Sequence, residues 1–191
     1  MLQASWWHRE MNKKKEENEF MKKMTSAYAN KLIKQLTEEK SYWASKERDG
    51  YVYKVATDEE PFVPDYDYEA VSAIMEEIDT KVRIIKHAIN LNNIINQVQV
   101  GEELMTIDSI LVKMSQLNNR KMMLDMMRKL PEKSRVNLSV FGKNMAQEYQ
   151  YVNFDLEKVK ADFEKISDEI MAMQIALDKY NQTFEFEVDI D

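Results

Sequence analysis

Cysteine is absent from this 191-residue chain. That excludes a disulfide framework, a thiolate zinc site and a thiol nucleophile, and it fits a reducing compartment. A cytoplasmic location is the expectation. Glycine and proline occur three times each, far below average usage. Such scarcity favours long helices, because these residues are what interrupt them. Histidine occurs only at positions 8 and 87. A ferritin-like di-iron bundle needs Glu-x-x-His on two helices, and Ile84 stands three residues before His87, so that chemistry is not expected. There is no Gly-flanked serine and no Gly-rich phosphate loop. The longest apolar run, Ile170-Met171-Ala172-Met173, is far too short for a transmembrane helix. The N-terminus lacks the long apolar core of a secretory signal. A net charge of −7, from 27 basic and 34 acidic residues, argues against an indiscriminate nucleic-acid binder. No catalytic residue, cofactor or metal is expected, and the chain reads as non-enzymatic.

Hydrophobic residues make up 44% of the chain and charged residues 32%, a balance that folds rather than stays disordered. The glycines and prolines fall in three places: Gly50, Pro61 and Pro64; Gly101; Pro131 and Gly142. They divide the chain into four helical tracts. The first is expected from Glu17 to Arg48, with Met21, Met24, Tyr28, Leu32, Leu36 and Trp43 on its apolar face and Gly50 as its C-cap. The second starts near Asp65 or Asp67 as N-cap and carries Val71, Ile74, Ile78, Val82, Ile85 and Ile89 inward. The third begins at Thr106, places Asp108 in its first turn, turns Ile107, Ile110, Leu111, Met114, Leu117 and Leu124 inward, and ends at Pro131.

The fourth tract, Asp155 to Asn181, carries the clearest pattern. Leu156, Val159, Phe163, Ile166, Ile170, Met173, Leu177 and Tyr180 follow at alternating steps of three and four. This heptad seam, about 40 Å long at 1.5 Å per residue, runs between charged flanks and must be buried against other helices. We take it as a candidate assembly surface. Three short stretches are β-prone: Tyr51–Val55, Glu148–Val152, and Thr183–Ile190, where Phe184, Phe186, Val188 and Ile190 alternate with carboxylates. The last is expected to pair with one of the other two or with a second subunit, since a lone strand is unstable. The connector Gln97–Met105 reads as a loop.

Residues 1–20 differ from the rest. Trp6, Trp7 and the run Lys13-Lys14-Lys15 suggest either a surface anchor or an extension upstream of a later start at Met21 or Met24. Residues 21–191 are expected to form a single helical-bundle domain. On the second helix, Arg83, Lys86, His87 and Asn90 make a polar stripe beside the apolar seam. It is expected to hydrogen-bond across the bundle to Gln116, Gln174 or Asp178, or else to hold an anionic ligand. Arg128, Lys129, Lys133 and Arg135 surround Pro131 in one basic turn. Met122, Met123, Met126 and Met127 crowd two turns of the third helix. They are expected chiefly as core filler, the alternative being an adaptable surface for a protein partner. Because they cover more than one face, some should be exposed unless another subunit buries them.

Three stretches, Arg83–Asn90, Thr106-Ile107-Asp108 followed by Met114, Gln116, Leu117 and Arg120, and Gln174–Lys179 followed by Asn181 and Thr183, resemble the septicolysin-like family of small bacterial proteins over roughly residues 21–187. The resemblance implies a helical, coiled-coil-rich, oligomeric cytoplasmic protein and transfers no catalytic residue. The expected fold is all-α: four long helices in an antiparallel coiled-coil-like bundle with a small β element. The expected function is that of a structural or interaction protein assembling into a homo-oligomer. The alternatives are a membrane-active or defence-related effector and an anion- or nucleotide-binding protein.

Overall fold

A computed structural model of the chain describes residues 21–136 and 147–190. The readings made for residues 1–20 and for 137–146 lie outside the described residues. Among those described there are four helices, α1 (Ser26–Gly50), α2 (Tyr68–Ile95), α3 (Ile107–Arg128) and α4 (Leu156–Thr183), and six short strands, β1 (Met21–Thr25), β2 (Gln97–Val100), β3 (Glu103–Thr106), β4 (Lys133–Arg135), β5 (Tyr149–Tyr151) and β6 (Glu185–Asp189). The chain is mostly helical, with small antiparallel strand pairs. It divides into two compact units. One runs up to Asn96 and resumes at Lys179, and the other is Gln97–Asp178.

In the first unit α1 and α2 lie antiparallel. Tyr66, just ahead of α2, donates to Glu47 near the end of α1 at 3.0 Å. Lys40 bonds Asp79 at 2.6 Å, and Ile33 and Leu36 pack with Ile84 and Ile85. Each helix is started by a side chain that takes up an otherwise orphaned backbone N–H. Thr25 accepts from Tyr28 N at 3.2 Å, and Asp67 accepts from Ala70 N at 3.1 Å. Asp67 rather than Asp65 is therefore the cap. Met24, Ala29, Ile85 and Val188 form the buried centre.

That centre includes two strand residues, and this departs from the sequence reading. Residues 21–25 are not the first turns of α1. They are β1, and β6 pairs with it in antiparallel register, Met24 opposite Phe186 and Lys22 opposite Val188. The alternation of β6 works as expected: Val188 is buried while Glu185, Glu187 and Asp189 face water. Of the partners expected for it, Tyr51–Val55 forms no strand and stays exposed, and part of Glu148–Val152 pairs elsewhere. Thr25, the cap of α1, is itself extended, in line with the strand it ends.

Gly50 also plays a different part. It is the last residue of α1, and the cap is Tyr51 in a right-handed conformation. A Cβ on Gly50 would lie 2.5 Å from Cβ of Tyr66 and 2.9 Å from its Cγ. The glycine is there for close approach of the incoming loop, not for a left-handed turn.

In the second unit the connector Gln97–Thr106 is a β-hairpin rather than a loop. Val100 pairs with Glu103 across Gly101-Glu102. Gly101 has φ +58° while no other described residue has positive φ. That is the pattern of a type II′ turn, which demands glycine at its first central position. Thr106 then caps α3, accepting from Ser109 N at 3.2 Å, and Asp155 caps α4, accepting from Glu157 N at 3.0 Å and Lys158 N at 3.1 Å. α3 and α4 lie antiparallel: Lys113 bonds Glu169 at 2.7 Å, and Arg128, a long way further along α3, sits 4.0 Å over the ring of Phe163. The Tyr149–Tyr151 part of the β-prone stretch Glu148–Val152 is β5, paired with β4. Leu111, expected inward, is 47% exposed.

Candidate functional site

The seam of α4 is covered along its length. Val159, Met173, Leu177 and Tyr180 are buried, and Leu156, Phe163, Ile166 and Ile170 are half-buried. Of the buried positions, Val159, Met173 and Tyr180 fall on one heptad line through the half-buried Ile166, and Leu177 lies off it. α2 shows the same period. Its buried residues, Val71, Ile78, Ile85 and Asn92, recur at strict seven-residue spacing.

Asn92 ends that line, and it is the one polar side chain on it. Its Oδ1 accepts from Asn96 Nδ2 at 2.7 Å, while its own Nδ2 has no partner. Tyr180 lies beside it with a hydroxyl that is likewise unpaired and a ring stacked on Phe184 at 4.9 Å. Burial pushes the Tyr180 phenol up from its usual value, and the nearby Asn92 and Asn96 amides pull weakly the other way without making a hydrogen bond of ordinary geometry. The sequence signal was available: Asn92 stands seven residues beyond Ile85, where an apolar residue belongs. A buried polar group without a hydrogen-bond partner costs stability. The pair Asn92→Leu with Tyr180→Phe is therefore expected to raise the unfolding free energy by about 1–3 kcal/mol, the desolvation cost of unpaired groups. A urea midpoint that falls instead would show that solvent already satisfies both atoms.

Arg83, Lys86, His87 and Asn90 do share one face of α2, and all four are exposed. They do not close around a cavity. Arg83 bonds Thr80 on its own helix at 3.1 Å, and Gln174, one expected partner, bonds Asp178 at 3.3 Å. The stripe continues into apolar residues left in water at the end of α2: Leu91, Ile94 and Ile95 are 46, 59 and 73% exposed. A depression of about 570 Å³ lies elsewhere on this unit, between Glu76, Glu77 and Lys81 of α2 and Asp189 and Ile190. Lys81 is already paired with Glu77.

The basic turn is occupied by its own neighbours. Arg128 and Lys129 both grip Asp125, at 2.7 and 2.5 Å. Lys129 and then Arg128 hold that carboxyl below the usual carboxylate range. Lys133 stands 4.2 Å over Tyr149 and 5.3 Å over Tyr151. These are cation–π contacts worth little in free energy at an exposed site. They fix where the charges point. The hydrogen bond to Glu169 similarly holds the Lys113 ammonium above its usual value, against some desolvation.

Beside that turn the methionines of α3 are mostly in solvent. Met122, Met123 and Met126 are 61, 48 and 55% exposed, and Leu130 follows at 41%; Leu124 alone of this group is fully buried. On α4, Met171 and Ile175, one turn apart, are 62 and 64% exposed. Single exposed apolar residues are ordinary, but runs at helical spacing mark interaction surfaces.

No family model matches the chain, and no curated protein matches it. One solved structure does: a functionally unknown conserved protein from Corynebacterium diphtheriae, with a TM-score of 0.60 at 14% identity over 86% of this chain and 99% of that one. The likeness is one of fold. Among the described residues no helix is long and apolar enough to cross a membrane.

Proposed function

We propose that the protein is a non-enzymatic structural or interaction protein that self-assembles through its long amphipathic helices, in coiled-coil-like packing, in the cytoplasm. The observation that carries this reading is the apolar surface left in water at helical spacing: Leu91, Ile94 and Ile95 on α2, Met122, Met123 and Met126 on α3, and Met171 and Ile175 on α4. Each group stands on a helix whose opposite face is already packed, so these side chains are surplus to the fold of one chain. Apolar area removed from water contributes roughly 25 cal/mol per Å², which makes a second covered face the natural use for them. The period-seven burial on α2 and α4 supports the coiled-coil-like part of the proposal. The resemblance of three stretches to the septicolysin-like family is in keeping with it. Light scattering at micromolar concentration is expected to give a multiple of the 22.7 kDa chain mass. A plain monomer across the whole accessible concentration range would overturn the reading.

A further inference from the structure

The α3 patch is more than a group of exposed methionines. At 100° per residue, Met122, Met123 and Met126 fall within one face about 100° wide, and Leu130 follows just past the helix end, exposed as well. Arg120 borders that face on one side and Lys129 on the other, both exposed. Towards the N-terminus the same face continues through Asn119, Gln116, Ser115 and Val112, all exposed and none acidic. Beyond Leu130 come Lys133 and Arg135, again exposed, with one exposed carboxylate, Glu132, before them, so the rim stays net basic. A polarisable apolar strip with a basic rim selects a partner with an apolar anchor and flanking carboxylates.

The chain carries such a partner. The segment 58–65, Asp58-Glu59-Glu60-Pro61-Phe62-Val63-Pro64-Asp65, stands in solvent between α1 and α2. Phe62 is 87% exposed and Val63 59%, and Asp58, Glu59, Glu60 and Asp65 are exposed around them. Pro61 and Pro64 fix the backbone dihedrals on either side of the pair, which lowers the conformational entropy lost on docking. An aromatic side chain held out on a stiff loop has the form of an interface anchor.

We propose that the Phe62 loop of one copy docks on the Met122–Met126 face of a second copy, with Glu59 and Glu60 against its basic rim. This rests on the self-assembly reading and specifies its contact. Two different surfaces meet, so the contact is heterologous and repeats head to tail, giving a closed ring or an open filament rather than a two-fold dimer.

The test is charge reversal and its rescue, read by light scattering on the full chain. Lys129→Glu with Lys133→Glu is expected to weaken assembly at least about tenfold, and so is Glu59→Lys with Glu60→Lys. Mixing the two variants, or combining all four changes in one chain, is expected to restore it. Circular dichroism of each variant should stay that of the parent, since all four side chains are exposed. Assembly that survives either reversal would overturn this contact and leave self-assembly standing. A parent chain that is monomeric throughout would overturn both. Sedimentation with phosphatidylserine vesicles that is lost in the lysine variant and untouched in the glutamate variant would overturn the contact in favour of a lipid surface.

Discussion

Ile85→Asp is expected to unfold the first unit. Ile85 is 0% exposed and sits in the centre that α2 shares with Met24, Ala29 and Val188, so three separate segments meet on its side chain. Truncation of such a residue to alanine costs about 2–5 kcal/mol through lost transfer energy and a residual cavity. Aspartate adds a carboxylate with no partner in that centre, which must either be desolvated or be protonated on folding. A loss on the order of 5 kcal/mol is comparable with the whole stability of a small domain. The conservative Ile85→Val is expected to cost only about 1 kcal/mol. Urea unfolding followed by far-ultraviolet circular dichroism measures both. If the aspartate variant kept a midpoint near that of the valine variant, the β1–β6 ribbon would not be packed on α2 as described.

Gly50→Ala sets two effects against each other. Gly50 belongs to a helix, where alanine is ordinarily better by about 1 kcal/mol. The new Cβ would meet Cβ and Cγ of Tyr66 at 2.5 and 2.9 Å. These atoms lie at the root of the side chain, so rotation of the ring does not clear them, and the loop ahead of α2 has to move. Overpacking of this sort costs about 1–3 kcal/mol. Moving the loop also breaks the 3.0 Å bond from the Tyr66 hydroxyl to Glu47. We therefore expect Gly50→Ala to destabilise, against its propensity, by about 1–2 kcal/mol net. The mechanism predicts a partner effect: in a Tyr66→Ala background, the same Gly50→Ala change should be neutral or stabilising. Equal losses in both backgrounds would show that Tyr66 is not the obstacle.

Tyr66 also gives the alkaline behaviour of this contact. Loss of solvent, and then the Glu47 carboxylate that accepts its hydrogen bond, raise its pKa above the usual phenol value. A group raised in the folded state contributes its stability below the unfolded value and loses it as pH rises through the folded one. The contact's contribution from Tyr66 is thus present near neutrality and is lost on the alkaline side.

What was legible in the sequence follows from locality. The scarcity of glycine and proline, together with the apolar period, is enough for four long helices. Asp67 and Thr106, both read as caps, cap their helices because a side chain reaches an N–H three residues away, a relation written in nearby letters. The seam of α4 was readable for the same reason, and so was Asn92 in principle, as the polar member of a seven-residue ladder. The alternation of β6 shows which of its faces is apolar.

Pairing was decided only in three dimensions. Nothing local distinguishes Met21–Thr25, which pairs with β6, from the more β-prone Tyr51–Val55, which pairs with nothing among the described residues. The pairing that forms puts Met24 and Val188 in one buried centre, a contact between residues far apart in the chain. Gly50 reads in sequence as a helix stop and in space as room for Tyr66. The exposed face of α3 is invisible to a pattern that only sorts apolar residues inward. Four methionines in two turns must exceed one buried stripe, but which of them remain in water depends on where α4 and its charges lie. The sequence determined that four segments are helical and where α2 and α3 start, because those terms are local, while the start of α1 was set by the strand that precedes it. Tertiary structure decided which strands pair and which apolar side chains stay uncovered, because burial is settled by neighbours that the chain supplies from elsewhere.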